Sequence, residues 1–214
     1  MMFNEIALAF GQTCFMVFFS GLFTVLIGLP LGVVLCITQK HHLWEHRGIN
    51  TLLSIIINAT RSIPFIILMI AIIPLTRWIA GSSIQIKAII VPLTVAAIPF
   101  FARTVEIALN KVHPGLIEAG KAMGATRFQI IRKILIPEGM SGIVNGLTLT
   151  MVNLVGYSAM AGFNGSGGLG KLAIDYGFYR YDTEVVIITV LIMILLVQCL
   201  QSVGDYVANK VLTH

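Results

Sequence analysis

Long stretches of the chain carry no charged side chain. Ile6 to Gln39, Gly139 to Gly170 and Val185 to Gly204 are charge-free, and each is long enough for a bilayer crossing, which takes about 20 mostly apolar residues. Two further runs are interrupted near one end, Gly48 to Thr76 by Arg61 and Ala88 to Asn110 by Arg103 and Glu106. Irregular backbone and open sheet edges cannot satisfy their polar groups in hydrocarbon, so these runs are expected to be helical. The pattern predicts five spanning helices at residues 11–37, 51–75, 86–109, 139–161 and 184–206 of one all-α integral membrane domain covering 1–214. The first run is too long for the apolar core of a signal peptide, and Glu5 stands where a basic leader would be, so it is expected to stay in the protein.

Composition agrees. Hydrophobic residues make up 57% of the 214 residues, charged residues 11%, and the mean hydropathy is +0.93. An ordinary soluble domain carries about 25% charged residues. So few charges exclude a soluble globular enzyme, and so much apolar surface excludes a disordered chain. The net charge of +5 points to loops on the cytoplasmic side rather than to nucleic acid. With the N-terminus outside, the inner side holds Lys40, Arg47, Arg103, Lys111, Lys121, Arg127, Arg132, Lys133 and Lys210. The outer side then holds Arg77, Lys87, Lys171 and Arg180, so nine cations against four favour an N-out, C-in chain.

Several residues break the apolar pattern inside the spans. Gly28, Pro30, Gly32, Pro64, Pro74, Pro92 and Pro99 fit either ordinary membrane helix packing or helices broken around a pathway. Asn58, Asn145, Asn153, Tyr157 and Ser158 must find partners or line a wet path. Asn153, Tyr157 and Met160 share one helix face. They make either interhelical hydrogen bonds or the wall of a pathway in which Met160, an adaptable thioether, plugs the axis. Arg103 and Glu106, three apart, are expected to form a structural ion pair. Arg61 is expected near the inner end of the second span, reaching for the headgroups. Cys14, Cys36 and Cys199 all lie in apolar runs without a CxxC pair and are expected to be buried thiols.

The longest polar interruption is Asn110 to Pro137. His113-Pro114-Gly115 starts a helix, with Pro accepted in the first turn, and Gly124 can end it near Met123. Thr126, with Gln129 three residues on, makes a capping box for a second helix. Phe128, Ile131, Ile134 and Leu135 give that helix an apolar face. Such a pair either docks on a partner protein or lies on anionic lipid.

The spacing inside this segment is specific. Glu118-Ala119-Gly120, three residues, Gly124, nine residues, then Ile134-Leu135-Ile136-Pro137 resembles the EAA loop of bacterial ABC-importer permeases, whose pattern is E-A-A, three residues, G, nine residues, I-x-L-P. Gly120 replaces the second Ala and Ile136 replaces Leu. Further stretches, in order along most of the chain, are similar to the methionine-importer permeases. They are Arg61 to Leu68, Ile73 to Arg77, Ile90 to Val95, Gly115 to Pro137, Leu154 to Met160 and Gly167 to Gly170. The resemblance implies a type I importer permease of the bacterial inner membrane, with five spans and working as a homodimer. It implies two cytoplasmic ATPase subunits, which hold ATP and Mg, and an external solute-binding lipoprotein that delivers methionine, L or D. This chain would then bind no cofactor, no metal and no nucleic acid, and would be no enzyme itself. Pro114, Glu118, Ala119, Gly120, Ala122, Met123, Gly124, Ile134 and Pro137 would couple to the ATPase, and Asn153, Tyr157, Ser158 and Met160 would line the pathway or its gate. Transport of another small polar solute, or a non-transport membrane scaffold or enzyme, are the alternative readings.

Three other motifs lead elsewhere. Gly165 to Leu172 falls one hydroxyl short of a P-loop, GxxxxGK[ST], and follows a span rather than a strand, so a flexible external loop is expected. Gly156-Tyr157-Ser158-Ala159 resembles a serine nucleophile motif. However, the five histidines, His41, His42, His46, His113 and His214, all lie outside the spans, so no base is in reach. His42 and His46 have metal-ligand spacing but no Cys or Asp nearby, and are expected in a solvated loop.

Overall fold

In the computed structural model, which describes residues 2–40, 42–83 and 85–212, the first apolar run forms one helix, α1 (Met2–Ile37). His41 and His214 lie outside the described residues. Then follow α2 (Arg47–Ser62), α3 (Phe65–Ala71), α4 (Ile73–Ala80) and α5 (Ile86–Asn110). The polar segment gives α6 (Pro114–Ala122) and α7 (Arg127–Ile130). The chain finishes with α8 (Ile136–Ala161), α9 (Gly168–Ala173) and α10 (Thr183–Leu212).

α5 is the central helix, packed by α1 on one side and α8 on another. Lipid tails are as apolar as leucine, so helix association must come from close packing. Small residues supply it. A Cβ placed on Gly32 of α1 would lie 2.6 Å from the Ala102 carbonyl oxygen and from Val105 Cβ of α5. Gly142 and Gly146 of α8 press in the same way on Ala108 and Thr104 of α5. Between these seams Met16, Leu35, Leu93, Phe101, Leu109 and Leu154 are fully buried. The large apolar side chains on the outer faces, such as Phe18, Leu26 and Leu195, are exposed as lipid contact requires.

Four details depart from the sequence expectations. The second span is two helices, not one: α2 and α3 meet at 107°. Pro64 has no N–H and forces Ile63 out of the α region, to φ −86 and ψ 125. Arg61 therefore sits at the far end of α2, because that helix stops at Ser62 rather than running on to residue 75. Its guanidinium lies 5.8 Å over the Phe100 ring. Secondly, the helix capped by Thr126 does not stop before the fourth span. It runs from Arg127 through to Asn164 by way of a single π turn at Ile131–Leu135. Pro137, which cannot donate, follows that turn, and the wider turn accommodates the gap in the hydrogen-bond ladder.

Thirdly, the Gly165–Leu172 stretch is built into the fold rather than a flexible loop. α9 begins in it, and Gly168, Leu169, Gly170 and Leu172 are buried. A Cβ on Gly170 would meet the Ala159 carbonyl oxygen at 2.2 Å. Lastly, Cys14 is half-buried and Cys36 buried, but Cys199 is exposed on α10, because this helix packs by only one narrow face.

The seams are testable by volume. Gly32→Val must push α1 off α5, so the melting temperature of the detergent-solubilised protein should drop by several degrees, as overpacking costs about 1–3 kcal/mol. Gly156→Ala, at a position with open space around it, should leave the melting temperature unchanged.

Candidate functional site

Two surfaces concentrate the residues singled out by sequence. The first is the helical hairpin after α5. Its chain entry is fixed by His113, whose Nδ1 accepts from the Gly115 N–H at 3.1 Å, with Pro114 in the first turn of α6. Gly124, at φ +77, closes α6: the Ala125 N–H reaches the Gly120 carbonyl and the Gly124 N–H that of Lys121, both at 3.0 Å. These are the two bonds of a Schellman cap, which needs the left-handed backbone that glycine adopts without strain. The capping box of α7 forms as spaced, Gln129 N–H to Thr126 Oγ1 at 3.3 Å and Thr126 N–H to Gln129 Oε1 at 2.8 Å.

The hairpin has an inside and an outside. Gly120 is buried: a Cβ there would lie 2.7 Å from Ile134 Cδ1 and 3.4 Å from Ile130 Cγ1. Gly120 and Ile134 thus hold α6 onto the segment leading into α8. Glu118, Ala119, Ala122, Met123 and Gly124 point outward, with Met123 79% exposed. Leu116 and Phe128 add exposed apolar area beside them. Pro114 is exposed at the α6 entry, and Pro137 lies exposed at the start of α8, behind the π turn rather than beside α6. These exposed apolar side chains are rimmed by Glu118, Lys121 and Arg127.

A polar network ties the bundle together just above the hairpin. Arg103 and Glu106 are paired as expected, Nη1 to Oε2 at 2.6 Å. Glu106 is buried and takes a second donor, Gln39 Nε2 at 2.6 Å, from the end of α1. Sequence reasoning missed Gln39; the signal was that a buried carboxylate with one partially exposed cation needs another donor. Beside it the Cys36 thiol donates to Asn110 Oδ1 at 3.2 Å and lies 3.5 Å from His42 Nε2. His42 is therefore not in a solvated loop. Burial, with Lys121 nearby, pushes its pKa below the ordinary histidine range. His46 instead caps α2, accepting from the Ile49 N–H at 3.3 Å, so the two histidines serve different elements.

The second surface is the open side of α8. Asn145, Leu149, Gly156 and Met160 are exposed along it, and Asn153 partly so. Tyr157 stands at its edge, stacked on Phe65 of α3 with ring centroids 4.8 Å apart and planes 10° apart. Ser158 is not on this face. It is buried and its hydroxyl donates to the Val155 carbonyl at 2.7 Å, which also leaves no nucleophile. Gln198, Gln201, Ser202 and Asp205 of α10 line a cleft of about 520 Å³ with Asn145 and Thr148. In the P-loop-like stretch, the Gly168 N–H is held by Gln12 Oε1 at 2.8 Å and the Leu169 N–H by Thr13 Oγ1 at 2.9 Å. The amides that a phosphate would need are thus already engaged.

An apolar helical bundle with a rigid capped hairpin at one end and a polar open face in its middle defines a membrane transport subunit. The chain belongs to the family described as binding-protein-dependent transport system inner membrane components, whose model matches residues 24–213. Among its relatives is the probable D-methionine transport system permease protein MetI of Vibrio cholerae, 50% identical over 94% of this chain and 89% of the relative. The D-methionine transport system permease protein MetI of Escherichia coli K12 is 52% identical over 71% of this chain and 70% of its own length. A solved structure of inward-facing conformations of the MetNI methionine ABC transporter superposes with a TM-score of 0.96 at 45% identity, covering 98% of this chain and 97% of that one. An amino acid ABC transporter at 18% identity shares the fold, with a TM-score of 0.80.

Two outcomes follow from the hairpin. Gly120→Ala asks only the tip of Ile134 to move and should leave the melting temperature nearly unchanged, whereas Gly120→Phe lifts α6 and should speed tryptic cleavage at Lys121. Because the folded pKa of His42 lies below the unfolded one, the unfolded chain takes up this proton first on acidification. Stability should fall as pH drops from about 6.5. His42→Gln should flatten that dependence in thermal melts.

Proposed function

We propose that this chain is the membrane-spanning subunit of an ATP-driven importer of methionine, in both its L and D forms. The observation that carries the reading is the outward, rigidly capped face of α6, Ala119, Ala122 and Met123, in a chain about half identical to methionine permeases. Residues 1–214 act as one permease domain. Two copies enclose the pathway, two cytoplasmic ATPase subunits dock on the two hairpins, and an external binding protein delivers the substrate. ATP and Mg belong to the ATPase; the chain itself performs no hydrolysis.

The mechanism is mechanical. Closure of the ATPases about ATP moves the docked α6 helices. α6 is clamped to the π-turn segment through Gly120 and Ile134, and that segment continues without a break into α8. A displacement at α6 is therefore delivered along α8 to the face carrying Asn153, Tyr157 and Met160. Rocking of one bundle against the other then exposes the pathway alternately to the two sides. Met160, exposed near the far end of α8, closes the axis against its copy.

Uptake of labelled methionine into cells lacking their own importer checks this. Co-expression with the cognate ATPase and binding protein should restore L- and D-methionine uptake. Ala122→Asp should abolish it while ATP hydrolysis by the purified assembly continues. Met160→Ala should raise passive leak. Restoration of some other solute's uptake, but not methionine's, would overturn the substrate.

A further inference from the structure

The break between α2 and α3 places a cation in the middle of the bundle. Arg61 is on the last turn of α2, and its guanidinium lies over Phe100. Phe100 is 14 residues from the start of α5 and 10 from its end, or about 21 and 15 Å of helical rise. Arg61 thus lies close to mid-membrane, where a charge is costly and is kept for function. One turn before it, Ile57 packs on Leu35 and Ala102, which fixes the helix at this depth. Arg61 itself is exposed on the protomer, and among the described residues no carboxylate pairs with it.

One side of α2 is polar. Thr51, Ser54, Asn58 and Arg61 recur at helical spacing along one side of α2, and all four are exposed or half-exposed. Because Pro64 turns the chain aside, no backbone donor among the described residues reaches the carbonyls of Arg61 and Ser62. These are the last carbonyls of α2, at the negative end of its dipole. A guanidinium and open carbonyls on the last turn of one helix are complementary to an α-carboxylate and an α-ammonium.

We propose that Arg61 is the substrate-binding residue of the permease, holding the carboxylate of an α-amino acid in transit while the Arg61 and Ser62 carbonyls accept from its ammonium. This assignment rests on the amino-acid importer reading above. A planar fork suits a carboxylate. Two-point capture of the charged ends leaves hydrogen and side chain at Cα interchangeable, so the site takes either enantiomer.

The test uses the whole assembly, with ATPase and binding protein, in proteoliposomes. In Arg61→Gln, methionine imported per ATP hydrolysed should fall by about tenfold or more, the loss expected for a hydrogen bond to a charged group. Arg61→Lys, which keeps the charge, should recover most of it. Unaltered import per ATP in Arg61→Gln overturns the proposal. So does basal ATPase that falls together with uptake, which marks Arg61 as structural. A second measurement keeps Arg61 intact: Asn58→Cys, with the native cysteines replaced, is labelled by a maleimide. Millimolar methionine should slow the labelling and methioninol, which lacks the carboxylate, should not; equal effects of the two overturn it. Failure of the wild-type assembly to import methionine at all overturns the importer reading, and this assignment with it.

Discussion

A hydrocarbon interior offers no water to a backbone amide or carbonyl, and every unusual feature of this chain is shaped by that constraint. The charge-free runs become helices because only helices satisfy their own peptide groups. Two departures from a helix are handled differently. At the outer end, the turn before α9 returns into the bundle, and the side chains of Gln12 and Thr13 bond its free amides. At the α2–α3 break no backbone donor among the described residues reaches the carbonyls of Arg61 and Ser62. One break is sealed by side chains of α1, and the other is left without backbone partners.

The second organising feature is closeness. With no hydrophobic drive between helices in lipid, contact area has to come from backbones that approach. Gly32 and the Gly142–Gly146 row bring α1 and α8 onto α5, and Gly120 does the same for α6 outside the bundle. The result is a stiff unit in which the α6–α7 hairpin is not a loop attached to the spans. Its second helix, α7, is the first part of the same helical rod that carries Asn153, Tyr157 and Met160. The network of Gln39, Glu106 and Arg103 ties the end of α1 to α5 directly above it. A push on α6 therefore meets few soft joints before it reaches mid-membrane.

Much of this was legible in the chain itself. The five crossings, the capping box at Thr126 and Gln129, the helix stop at Gly124 and the Arg103–Glu106 pair all rest on local spacing, and local spacing survives folding. The family pattern from Glu118 to Pro137 was also readable, including the small residue at 120 that packs against Ile134. Tertiary structure decided the rest. Proline at 64 announces a kink but not a 107° turn, so the depth of Arg61 could not be read from its number. Ser158 and Met160 look equivalent in sequence, yet one is turned into the packed core and the other out of it, because α8 is covered on only part of its circumference. A glycine-rich stretch reads as flexible until its partners on α1, more than 150 residues away in the chain, are in place. Sequence determined which segments enter the membrane and how each helix begins and ends, since those depend on nearest neighbours. Only the packed bundle determined which polar groups face one another across it, since that depends on contacts between distant parts of the chain.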